Sequence, residues 1–62
     1  MSNDLKTERL KMGLTQNDVA KQLGISPITY QRYESNKRIP DVQIAINLAR
    51  IYNTNVESIF TP

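Results

Sequence analysis

At 62 residues the chain has room for one domain and one small core, near the lower end of what folds without disulfides or metal, and a large active-site cavity is not expected. It has no cysteine and no histidine, which removes disulfide staples, the usual zinc ligands, thiol nucleophiles and the commonest general base. Eight Lys and Arg against six Asp and Glu give a net charge of +2, which leans toward an acidic partner without proving one, so the placement of the cations matters more than their sum.

No hydrophobic run approaches the length of a membrane span, and Met1-Ser2-Asn3-Asp4 lacks the charged-then-apolar layout of a signal peptide. The expected location is the cytoplasm, with no membrane contact. No Ser, Pro or Gly tract marks a linker, so residues 1–62 read as a single domain without a ligand domain of its own.

Start and stop signals mark five short helices and no strand. Asn3 is a plausible N-cap for a first helix through Leu5, Arg9, Leu10 and Met12, ended by Gly13. Thr15-Gln16-Asn17-Asp18 has the form of a capping box, followed on one face by Val19, Ala20 and Leu23 before Gly24 stops the chain. Ser26-Pro27 supplies a cap and a preset first residue for a third helix running to about Ser35 or Asn36. Asparagine at 36 tolerates a left-handed ending, and Lys37-Arg38-Ile39-Pro40 is a loop. Asp41 caps a fourth helix with Val42, Ala45, Leu48, Ala49 and Tyr52 at helical spacing, ended by Asn53; Asn55 caps a last one with Val56, Ile59 and Phe60. The fold class is therefore all-α, a compact bundle.

Two helices joined by a few residues around Gly24-Ile25 pack closely and steeply only if the contact residues have the right sizes. Ala20 lets the third helix approach the second, Gly24 lets the chain reverse, and Val19, Leu23, Ile25, Tyr30 and Tyr33 close the wedge. One face of the third helix then stays open.

At these residues the sequence resembles the lambda-repressor-like, Cro/C1-type helix-turn-helix regulators, the XRE family, from which standard examples of this motif are drawn. The likeness runs from Leu5 to Phe60 through Arg9, Gly13-Leu14-Thr15-Gln16, Val19-Ala20, Leu23-Gly24-Ile25-Ser26, Tyr33-Glu34, Pro40, Leu48-Ala49 and Val56-Glu57-Ser58-Ile59-Phe60. Departures are Pro27 and Ile28 where polar residues are common, Tyr30 in place of a smaller aliphatic residue, and Asn36 where glycine is typical.

The resemblance implies a non-enzymatic transcription regulator without a cofactor, binding a double-stranded DNA operator as a homodimer. Its setting would be repression in a phage, a mobile element or a bacterial operon. The backbone contacts it implies are Thr15, Gln16, Ser26, Ser35, Asn36, Lys37 and Arg38, with Gln16 at a helix start whose N–H groups and dipole favour phosphate. Base contacts fall to Pro27, Ile28, Thr29, Gln31 and Arg32, where Arg32 suits guanine, Gln31 suits adenine and the apolar groups suit a thymine methyl. A solvated basic turn and a phosphate-bound Arg32 are the plainer alternatives. Tyr30 and Tyr33 read as core residues whose hydroxyls reach toward the surface.

In the same family the residues matching Arg9 and Glu34 form an internal ion pair, which implies a structural role for both. Val56, Ile59 and Phe60 are the dimer contact favoured by the sequence, their alternative being closure of the monomer core. A second class of function, docking of an antirepressor, a toxin or RNA polymerase, is separable by its weak salt dependence. No nucleophile-base set, metal-ligand cluster or phosphate-cradling glycine loop can be assembled to support catalysis.

Overall fold

The computed structural model describes residues 2–61. Helices α1 (Leu5–Lys11), α2 (Gln16–Leu23), α3 (Pro27–Glu34), α4 (Val42–Ile51) and α5 (Val56–Ile59) form the all-α bundle read from the sequence. They are framed by two-residue strands, β1 (Ser2–Asn3) and β2 (Phe60–Thr61), which pair antiparallel with Ser2 opposite Thr61 and Asn3 opposite Phe60.

That ladder corrects the expectation of no strand and of a helical Phe60. The two ends of the chain leave the bundle side by side, and backbone groups that no helix satisfies pair with each other instead. The Asp4 N–H adds to the seam by donating to the Ile59 carbonyl at 2.9 Å. Two residues are too few to show the alternation by which strands are recognised.

Four helices start with the same device: a side-chain oxygen at the N-cap accepts from the backbone N–H three residues on. Thr15 takes the Asp18 N–H, Ser26 that of Thr29, Asp41 that of Ile44 and Asn55 that of Ser58. At α2 the box is complete, because the Asp18 carboxylate accepts from the Thr15 N–H at 2.9 Å. These bonds hold the Asp18 carboxyl below its ordinary range, the Thr15 backbone N–H contributing most. Helix α1 differs from its expected start: Asp4 occupies the N-cap position without a side-chain cap bond, while the Asn3 Oδ1 accepts from the Leu5 N–H at 3.2 Å.

Four helix ends are also alike. Gly13, Gly24, Asn36 and Asn53 all have φ between 54° and 72°, and the next residue's N–H turns back to a carbonyl five positions earlier. These bonds are Leu14 to Arg9, Ile25 to Ala20, Lys37 to Arg32 and Thr54 to Ala49. A left-handed residue lets the chain reverse there while satisfying a terminal carbonyl, and asparagine follows glycine in tolerating it.

The core joins Leu5, Val19, Ala20, Tyr30, Tyr33, Leu48, Ala49, Tyr52 and Ile59, with Leu14, Leu23 and Ile25 packed on its edge. Ala20 is buried between α2, α3 and α4, where extra methylenes would force these helices apart at about 1–3 kcal/mol. Leu10, Met12 and Val42 lie at helical positions but outside this core; Val42, read as part of the buried face of α4, is 76% exposed.

Candidate nucleic-acid interface

Helices α2 and α3 meet across a turn of three residues, Gly24 to Ser26, with Val19 and Ala20 against Tyr30 and Tyr33 inside. Burial of both tyrosines on one side of α3 leaves Pro27, Ile28, Gln31 and Arg32 exposed on the other. Ile28 is 61% exposed, so it contributes little to the core of its own chain. Thr29 is half-buried, and its hydroxyl shares a 2.9 Å hydrogen bond with Ser26. The five residues read as base contacts are thus four open side chains and one tied to the helix cap.

The residues read as backbone contacts stand at three places around this face. Thr15 and Gln16 stand at the start of α2, and Ser26 at the start of α3. Ser35, Asn36, Lys37 and Arg38 follow the end of α3, and all four are exposed. What each can donate differs. The Ser35 hydroxyl donates back to the Gln31 and Arg32 carbonyls, so it offers an acceptor rather than a donor. Asn36 uses its Oδ1 to accept from Asn3, and among the described residues its amide N–H groups have no partner. Neither Lys37 nor Arg38 makes an ion pair among the described residues.

Beneath the interface lies a buried polar chain. The Arg9 Nε donates to the Glu34 Oε2 at 2.7 Å, its Nη2 reaches Oε1 at 3.4 Å, and its Nη1 donates to the Leu14 carbonyl at 2.9 Å. The two side chains are 11% and 6% exposed, so the pair links α1 to the end of α3 out of water. Gln16 joins it, its amide donating to the Glu34 Oε1 at 3.1 Å. The side chain read as a phosphate clamp therefore has one N–H engaged inside the protein and one left to offer.

Tyr30 completes the chain. Its hydroxyl bonds that of Tyr52 and contacts Glu34, so the hydroxyl expected near the surface is buried. Burial would push the Glu34 carboxyl up, but donors from Arg9, Gln16 and Tyr30, with the Arg9 charge, leave it below its ordinary range. The bond to Glu34 raises Arg9 against the opposing effect of burial, and desolvation holds both tyrosine hydroxyls protonated.

Two concavities adjoin this framework. A polar cleft of about 490 Å³ is lined by Lys6, Arg9, Gln16, Gln31, Glu34 and Ser35. Lys6 is a cation that the sequence reading passes over, although it lies three residues before Arg9 and so shares its helix face. An apolar groove of about 230 Å³ is lined by Ile39, Pro40, Val42, Ala45, Ile46, Val56 and Phe60. Of the three residues read as dimer contacts, Val56 and Phe60 line this groove. Ile59 does not: it is fully buried in the monomer core, on the face of α5 opposite solvent, and its reading as a dimer contact is corrected. Ile39, read as a loop residue, and Val42, read as facing inward, are both exposed beside the groove.

Among the described residues no group of three or more His, Cys, Asp or Glu could hold a metal ion, and no helix is long and apolar enough to cross a membrane.

The chain matches the helix-turn-helix family over residues 5–59. It is 38% identical over 60 residues to an uncharacterised HTH-type transcriptional regulator of Methanocaldococcus jannaschii, covering 97% of this chain and 91% of that one. A regulator of the same description from Archaeoglobus fulgidus is 32% identical over 60 residues, covering 97% of this chain and 86% of the relative. The Bacillus subtilis HTH-type regulator YqaE is 36% identical over 56 residues, which are 90% of this chain and 48% of YqaE.

Proposed function

The chain belongs to the XRE-type helix-turn-helix family of DNA-binding transcriptional regulators, which are not enzymes, and from that premise we propose that it is a sequence-specific repressor reading the major groove with α3. One observation carries the reading. The open face of α3 presents an apolar Ile28 beside Gln31 and Arg32, with no core role for any of them, between phosphate-binding candidates at its two ends. Ser26 stands at the start of α3, while Gln16, held beside the end of α3 by its bond to Glu34, stands with Thr15 on the side of Asn36, Lys37 and Arg38. Such flanking donors fix register on the phosphates while the side chains between them distinguish base edges. Repression follows from occupancy, since a protein seated on an operator excludes polymerase from it.

The proposal includes a symmetric homodimer. A single eight-residue helix spans only a few base pairs, and a second copy on a half-site about 34 Å away supplies the missing specificity. The apolar groove beside α4 and α5, with the exposed Ile39 and Val42 on its rim, is the surface we assign to that contact. A phage, mobile element or bacterial operon remains the proposed setting, and the archaeal relatives add archaeal operators to it.

Selection of binding sites from random duplexes at a stated salt concentration tests all of this. An enriched palindrome with half-sites one helical turn apart supports reader and dimer together. A single enriched half-site removes the dimer, and the absence of any consensus removes sequence-specific reading.

A further inference from the structure

Asn3 makes more long-range hydrogen bonds than any feature of its sequence suggests. Its backbone pairs with Phe60 in the terminal ladder. Its Oδ1 accepts from the Leu5 N–H at the start of α1. Its Nδ2 donates twice: to the Tyr33 carbonyl near the end of α3 at 2.9 Å, and to the Asn36 Oδ1 at 2.7 Å. The orientation of the amide is fixed by these partners, because the reversed placement would set a donor against the Leu5 N–H and an acceptor against two oxygens.

Asn36 is the left-handed residue, φ 61°, through which the chain turns from α3 into the basic loop. The Lys37 and Arg38 N–H groups both return to the Arg32 carbonyl, at 3.0 and 3.3 Å. These bonds tie the loop to the last turn of α3. Asn3 adds a second tie from a segment 33 residues away, joining that turn to the start of α1 and to the terminal ladder. Only an amide does all of it: aspartate lacks the donors, and serine is too short to span both acceptors.

We propose that Asn3 is a positioning residue for DNA binding, holding the loop of Asn36, Lys37 and Arg38 in the orientation in which its cations meet phosphates. The inference rests on the reading of that loop as a backbone contact. Asn3 itself touches no DNA in this scheme; it acts by sparing the loop the entropy of ordering on binding.

The experiment measures affinity for a mixed-sequence DNA duplex across a salt series for the parent chain, Asn3→Ala, the double variant Lys37→Ala/Arg38→Ala, and the triple combination, all at a temperature where thermal melts show every variant folded. Asn3→Ser, whose hydroxyl can still cap Leu5, stands in where Asn3→Ala fails to fold. Loss of Asn3 is expected to weaken binding several-fold and to lower the salt slope by about one unit, as if a phosphate contact were lost. In the Lys37→Ala/Arg38→Ala background the same change has little further effect. Without DNA, amide exchange at Lys37 and Arg38 speeds up while that of α4 does not.

Three results would overturn the proposal. Unchanged affinity and slope in Asn3→Ala, with the loop variant clearly weakened, removes the positioning role and leaves the interface standing. Full additivity of the Asn3 and loop changes makes Asn3 a merely structural residue. Parental binding by Lys37→Ala/Arg38→Ala removes the loop from the interface, and the reading and the inference fall together.

Discussion

Replacing Arg9 by Ala deletes the cation that Glu34 faces inside the protein, and the structure sets the size of the effect. Breaking a buried ion pair costs about 3–5 kcal/mol when the survivor is left alone. Here both side chains are nearly out of water, but Gln16 still donates to Glu34 at 3.1 Å, so the lower end, about 3 kcal/mol, applies. A domain of 62 residues is stable by about 3–9 kcal/mol, so the variant is expected to be marginal. At about 4–8 °C per kcal/mol for this size, the melting temperature falls by about 12–24 °C.

Thermal unfolding followed by circular dichroism at neutral pH measures this effect, with Glu57→Ala, at an exposed position of α5, as the control. The pH dependence adds a second test. Because the folded Glu34 pKa is depressed, its contribution is complete above the unfolded value of about 4.3 and disappears as pH falls through the folded one. The gap between parent and Arg9→Ala therefore narrows as pH falls into the range where the folded Glu34 takes up its proton. Equal melting temperatures for Arg9→Ala and Glu57→Ala, or a gap that persists undiminished in acid, would refute the shielded clamp.

Three further outcomes follow from the same geometry. Tyr52→Phe strips the buried Tyr30 hydroxyl of one partner and costs about 1–3 kcal/mol, while Tyr30→Phe/Tyr52→Phe costs less than the sum of the single changes; additivity in denaturant titrations would contradict the coupled pair. Arg32→Ala costs about 1–3 kcal/mol on the selected site and much less on unrelated DNA, and a parental consensus with undiminished information would remove Arg32 from base reading. Val42→Glu places a charge on the rim of the apolar groove and is expected to shift sedimentation toward monomer with an unchanged melt at low concentration; an unaltered dimer would move the interface elsewhere.

The helices were legible because their boundaries are local chemistry. Thr15, Ser26, Asp41 and Asn55 each act on a backbone N–H three residues on, and Gly13, Gly24, Asn36 and Asn53 each end a turn by a left-handed φ; such signals lie in a few adjacent letters. The Arg9 and Glu34 pair was readable only through family likeness, since nothing local joins residues 25 apart. What escaped was long-range or ambiguous in kind. Ile59 and Phe60 are neighbours in an apolar run, yet one closes the core and the other turns out into a strand beside the groove. Gln16 looks like a surface residue and spends an N–H on Glu34, and Asn3 looks like an ordinary cap. Lys6 was missed although its spacing from Arg9 carried the signal.

The seam between β1 and β2 also bears on how the domain is made and lost. Helix caps and turns bring together residues only a few positions apart, and such contacts form early and quickly. The seam joins Asn3 to Phe60, so its loop-closure entropy is that of almost the whole chain, with only two residues a side in return. It is expected to form after the rate-limiting step of folding, so that changes there leave the folding rate nearly untouched while speeding unfolding. Weakening the seam would then shorten the lifetime of the folded domain without slowing its formation, which is set by helices far from it in sequence.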